Sequence, residues 1–185
     1  MNVSWVIASG YIIDPVITSS TLKQVGPLWG SWTTLKTCNT DNVVCNDKEK
    51  AIELVQAGVN TSANFLTHKD YEFAFAFTDN KNVRYYGGYF ADSVYNIEDI
   101  IAMHLVAANS DVVLLLGFNF GRIAAQQNQD LKSQLHRAGL MHSVIAQNPD
   151  VQWVAVDHSA ILDPSYQTLS NFTCDTIENV LNLLA

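Results

Sequence analysis

Five consecutive branched apolar residues, Val112 to Leu116, run directly into Gly117. No other stretch limits the fold of this chain as tightly. A run this short, apolar at every position and stopped by glycine, is the pattern of a strand buried on both faces. Such strands belong mainly to parallel sheets that helices cover on each side. The preceding segment agrees. Ile97, Ile100, Ile101, Leu105 and Ala108 follow helical spacing, with Asn96 as N-cap and Glu98 and Asp99 in the first turn. A helix that feeds a buried strand is the repeating unit of an α/β domain. Hydrophobic residues make up 48% of the 185 positions and charged residues 15%, which suits one ordered core rather than a disordered chain. The sequence therefore predicts a single α/β domain over 1–185, three-layered and Rossmann-like, with a mainly parallel sheet.

The remaining elements follow the same periodicities. Val3 to Ile13 reads as a first strand interrupted at Ser9-Gly10. Val43 to Cys45 and Val151 to Val156 read as further strands. Asp47 caps a helix over Ala51, Ile52 and Val55 that stops at Gly58. Leu131, Leu135, Ala138, Met141 and Ile145 mark a long helix ended by Asn148-Pro149. Ile177, Val180, Leu181 and Leu184 mark the last one, with Asp175 and Glu178 resembling a capping box. Phe73, Phe75 and Phe77 alternate with Ala74 and Ala76, which predicts a strand over Glu72 to Phe77. With a turn at Thr78 to Asn82 and a returning strand over Val83 to Phe90, this predicts an antiparallel hairpin. Trp29 and Trp32 are read first as core or interface residues and second as stacking groups for a planar ligand.

Several function classes drop out. A formal net charge of −8 without a Lys/Arg cluster argues against a nucleic-acid partner. Cys38, Cys45 and Cys174 form no CxxC and no even framework, which suggests a reducing, cytoplasmic setting. The apolar Trp5 to Ala8 run has no basic residue before it and is cut by Asp14-Pro15, so neither a leader nor a membrane span is expected. The sequons at Asn2, Asn60 and Asn171 are then chance matches. The chain has no GxxxxGK[ST], GxGxxG, GxSxG or HExxH motif, and no cofactor or metal is predicted.

What remains is a set of strand ends. In an open parallel sheet, ligands bind beyond the carboxyl ends of the strands. Ser9 and Gly10 follow the first strand, Gly117, Asn119, Gly121 and Arg122 the central one, and Asp157 and His158 the last. Glycines let backbone amides approach a ligand. Arg122 offers a bidentate fork for a phosphate or carboxylate. Asp157 with His158 offers acid–base chemistry near neutrality. The plainer alternative makes Asp157 a turn cap and His158 an exposed residue. Asn39 and Asp41, in the polar Asn39-Thr40-Asp41-Asn42 cluster, are further ligand candidates, or else plain turn residues.

Leu114-Leu115-Leu116-Gly117-Phe118-Asn119-Phe120 resembles the central strand of bacterial sialyltransferases and the related motif-associated glycosyltransferases, in which the strand ends in Gly-Phe-Asp-Phe. Here Asn119 stands where that group usually carries Asp, and Ser9-Gly10-Tyr11 lacks the second glycine of its first loop. The resemblance covers about a dozen residues. It implies a Rossmann-like fold that handles nucleotide-activated sugars. Two functions are therefore expected as alternatives: a nucleotide- or nucleotide-sugar-binding protein, in the extreme a transferase, or a non-catalytic module that binds a small metabolite or assembles with partners. Six aromatics, Trp29, Trp32, Tyr85, Tyr86, Tyr89 and Phe90, together with sparse charge, suggest a homodimer.

Overall fold

A computed structural model of the chain describes residues 1–13, 17–76, 81–88, 97–121 and 131–184. Asp14, Pro15, the turn at Thr78 to Asn80, Tyr89, Phe90, Asn96, and Arg122 with the polar segment to Asn128 lie outside the described residues.

Eight strands form one parallel sheet: β1 (Val3–Ile7), β2 (Leu28–Ser31), β3 (Asn42–Cys45), β4 (Asn64–His68), β5 (Val83–Tyr86), β6 (Val112–Leu116), β7 (Gln152–Val156) and β8 (Phe172–Asp175). Their spatial order is β5-β4-β3-β2-β1-β6-β7-β8. The chain winds outward from β1 to β5. It returns through α3 (Glu98–Ala107) to lay β6 against β1, and then winds out the other way to β8. The winding direction reverses between β1 and β6, where Val3 to Ile7 pair in register with Val112 to Leu116. That reversal is the topological switch point, where open α/β sheets place their ligands.

The predicted central strand is thus central, with β1 on one side and β7 on the other. Its side chains alternate between layers. Val113 and Leu115 join Val6, Trp153 and Ala155 under α3 and α4 (Leu131–Gln147). Leu114 and Leu116 join Trp5, Ile7 and Val156 under α1 (Ser19–Lys23) and α6 (Ile177–Leu184). α2 (Lys48–Gln56) covers the β3–β4 region on a third cluster around Phe65 and Phe75. A fully buried Leu, Val or Phe in such layers contributes roughly 1.5–3 kcal/mol.

Local signals explain the helix ends. Asp47 accepts a hydrogen bond from the Lys50 amide at 2.8 Å as the cap of α2, and Gly58 beyond its end is left-handed at φ 83°. At α6 the capping oxygen comes from Thr176, which accepts from the Asn179 amide at 3.2 Å, while Asp175 accepts from the Thr176 amide and the Asn179 side chain. The sequons at Asn60 and Asn171 are buried. The Asn171 amide nitrogen lies within 2.9–3.1 Å of the Ile145, Asn148 and Val151 carbonyl oxygens.

The antiparallel hairpin does not form. Lys69–Phe75 is a 3-10 helix, and β5 pairs with β4 in parallel, Phe65 to His68 against Val83 to Tyr86. At three residues per turn, positions two apart face different ways. Phe75 is therefore fully buried while Phe73 is 89% exposed. The alternation that mimicked a strand is a helical spacing of a different kind.

Candidate functional site

β1, β6 and β7 end side by side, so the loops that follow them gather at one place on the carboxyl edge. The Ala8 amide donates to the Leu116 carbonyl at 2.9 Å, and the Tyr11 amide closes a tight turn onto the Ala8 carbonyl at 3.2 Å. The Ser9 amide donates to Asp99 Oδ2 at 2.9 Å, and Gly10 in this turn has φ 75°. The turn carries the Tyr11 ring over Gly117. Gly117 has φ 81°, and a Cβ there would lie 2.3 Å from that ring, so both the backbone angle and the close approach require glycine.

The β6 loop is pinned in turn. Asn119 Oδ1 accepts from the Gly121 amide at 2.9 Å. Gly121 bridges to Leu162, and the Asp163 amide donates to the Phe120 carbonyl at 2.9 Å. Phe120 is buried among Phe118, Tyr166, Phe172 and His158, and anchors the loop to α5 (Pro164–Gln167) and β8.

After β7, Asp157 takes up a left-handed φ of 54° and its Oδ1 accepts from the Ile177 amide at the start of α6, at 2.9 Å. It therefore caps a distant helix rather than the adjoining turn. His158 is half-buried, edge-on to Phe120 at 5.8 Å, and burial pushes its pKa below the ordinary 6.5. Burial thus favours the neutral ring. Nε2 is enclosed and has no hydrogen-bond partner among the described residues.

These loops enclose a cleft of about 220 Å³ lined by Tyr11, Gly117, Asn119, Asp157 and His158 among others. A second cleft of about 390 Å³ opens beside it, between Gly121, one face of α4 (Leu135, Ala138, Gly139, His142) and α5 with Asp163, Ser165 and Tyr166. Asn119 lines both. Among the described residues that line the two clefts, none is a Lys or Arg.

Of the sequence-predicted residues, the fold brings Gly117, Asn119, Gly121, Asp157 and His158 together, with the Ser9-Gly10 turn adjoining through Tyr11. Arg122 lies outside the described residues. Asn39 and Asp41 stand apart, because they precede β3 and so sit at the amino edge of the sheet. Asp41 ties strands there: its Oδ2 accepts from the Leu28 amide at 2.9 Å, and its Oδ1 pairs with Lys23 Nζ at 2.6 Å.

Tyr11, His142 and Tyr166 were not singled out as site residues from the sequence. His142 lies at the helical spacing i+7 from Leu135, but Leu135 and Ala138 read as core positions there. Leu135 is in fact 54% exposed and faces the cleft.

Buried titratable groups also cluster away from these clefts. Glu98 accepts from the Asn46 amide and the Trp32 side chain, and burial, chiefly, raises its pKa. Tyr86 and Tyr71 donate to the Asn46 side-chain and main-chain oxygens at 2.9 and 3.1 Å. Among the described residues no group of three or more His, Cys, Asp or Glu is placed to hold a metal ion, and no helix is long and apolar enough to cross a membrane. Comparison with protein families, with curated proteins and with solved structures found no match.

Proposed function

We propose that the protein binds a nucleotide or nucleotide sugar at the carboxyl ends of β6 and β7. The reading rests on one observation: three strand-end loops converge on a cleft beside the β1/β6 reversal, where parallel sheets bind ligands. The Asn119 amide and the Asp157 carboxylate suit sugar hydroxyls, which both donate and accept. Arg122, next in sequence to Gly121, is assigned the phosphate, since its guanidinium can grip an anion with a paired fork and the described lining residues include no Lys or Arg. In a transferase, neutral His158 would take the proton of an acceptor hydroxyl. We also propose a cytoplasmic location, on the three free thiols, and a homodimer, which a monomeric mass by light scattering at micromolar concentration would rule out.

A second reading, a non-catalytic metabolite-binding or assembly module, is favoured by Asp157. One of its oxygens is already committed to the α6 amide, which removes freedom that a catalytic carboxylate needs. Thermal-shift measurements with nucleotides and nucleotide sugars test the binding, because a ligand of the folded state raises its stability. Turnover of any stabilising donor then separates transferase from binder. If no nucleotide or nucleotide sugar stabilises the protein, the proposal is lost.

A further inference from the structure

We propose that the cleft between α4 and α5 holds the flat ring of the same ligand, so that one molecule spans both clefts with Asn119 at the junction; this rests on the reading above. The edge cleft, at about 220 Å³, lies below the usual size of small-molecule sites, roughly 300–1,000 Å³, whereas its neighbour at about 390 Å³ lies within that range. A ligand held at the edge therefore needs the second space. The walls of that space are mostly apolar, which suits a ring face and not a phosphate. His142 and Tyr166, packed edge to face at 5.5 Å, supply its aromatic side. The Tyr166 hydroxyl is spent on the Ala138 carbonyl at 3.1 Å and the residue is 3% exposed, so Tyr166 backs the half-buried His142 ring in the wall of the cleft. Asn119 has its Oδ1 taken by the Gly121 amide, which leaves its amino group as the donor at the junction.

Gly139 sharpens the assignment. It lies inside α4, where glycine is among the poorest helix formers. A Cβ at this position would meet nothing within 4 Å among the described residues, so none of their packing excludes a side chain there. The space that it keeps open is the cleft. The ligand class that follows is a planar heterocycle carried on a hydroxyl-rich group.

The test is calorimetric titration of uridine, adenosine and ribose 5-phosphate into the wild-type protein, Gly139→Leu and His158→Ala. Leucine is a far better helix former than glycine, so Gly139→Leu should melt no lower than wild type; Ala138→Leu blocks the same cleft if it does not fold. The expected result is nucleoside binding to wild type that falls at least about tenfold in the blocked variant, or about 1.4 kcal/mol, while ribose 5-phosphate binds both alike. Equal nucleoside affinity in the blocked variant, or no nucleoside binding to wild type, overturns the inference and leaves the edge cleft standing. Ribose 5-phosphate that fails to bind, or that binds His158→Ala as well as wild type, counts instead against the edge cleft.

Discussion

Glu98 and Asp99 are consecutive, acidic and buried, and they are stabilised in different ways. Both sit in the first turn of α3, where the sequence suggests solvated carboxylates favouring the helix dipole. The cap position is Ile97, without a side-chain hydrogen bond, and the two carboxyl groups turn to tertiary partners. Desolvation by burial is the largest influence on Glu98 and outweighs its hydrogen-bond donors, so its pKa rises above the ordinary 4.5. Folded protein then holds the Glu98 proton to higher pH than unfolded chain does. Its contribution is fully present below 4.5 and is lost as pH climbs through the raised folded value. Glu98→Gln removes that loss. The stability of the variant relative to wild type should therefore rise as pH goes from about 4.5 towards neutrality, and a difference independent of pH in denaturant titrations would contradict it. Arg122 makes a second prediction at this scale. If it holds the ligand's phosphate, Arg122→Lys should weaken binding by loss of the paired fork, and Arg122→Ala by roughly 1.5–3 kcal/mol; unchanged affinity in Arg122→Ala removes it from the site. Which residues gather at the edge cleft was legible wherever a strand end was legible, as at Gly117, Asn119, Asp157 and His158. Tyr11 and Tyr166 were not, because their roles depend on which loop folds across which glycine. Asn39 and Asp41 carry a further lesson: a polar cluster before a parallel strand lies on the opposite edge from one after it.

At the scale of elements, α3 and α4 are joined to the β1 loop through one carboxylate. Asp99 is fully buried, and its Oδ2 accepts from Arg137 of α4 at 2.8 Å and from the Ser9 amide at 2.9 Å. Removing the arginine leaves a buried charge uncompensated. Arg137→Ala should therefore cost about 3 kcal/mol of stability, read by urea denaturation; a loss below about 1 kcal/mol would place the pair among weak surface bridges. Because Asp99 also fixes Ser9, the same variant should loosen the turn that carries Tyr11 over Gly117. Long elements and apolar strands were readable from sequence: β1, β6 and β7 by their buried runs, and α2, α3, α4 and α6 by period and caps. β2, β4 and β8 were not. β2 contains Gly30 and Ser31, β4 contains Asn64, Thr67 and His68, and β8 exposes Thr173 and Cys174. None of these offers a hydrophobic period, since neighbouring strands supply their hydrogen bonds and the sheet, not the segment, makes them strands.

At the scale of the molecule, the sheet grows outward from the β1/β6 pair, and stability should follow the same gradient. β1 and β6 have a hydrogen-bonded neighbour on each side and a helical layer on each face, and Trp5, Val6, Ile7 and Val113 to Leu116 are essentially buried. β5 and β8 have one strand neighbour each and expose side chains at Arg84, Thr173 and Cys174. Amide exchange in a native protein slows with the cost of the opening that exposes each group. Opening β6 breaks both halves of the sheet and uncovers two cores, whereas opening β8 breaks the single ladder to β7. The slowest amides should thus be those of β1 and β6, exchanging only through global unfolding. β7 and β2 should follow, and the edge strands should exchange fastest. The strand-end loops at Ser9-Gly10 and Gly117 to Gly121 should open more readily than the strands they terminate, because they lack the ladder hydrogen bonds of the sheet. Hydrogen exchange followed by mass spectrometry or NMR reads the whole gradient. Protection of β5 or β8 equal to that of β6 would contradict it, and would mean that another chain covers that edge; the same measurement on diluted protein, where a dimer dissociates, would then show the protection disappear.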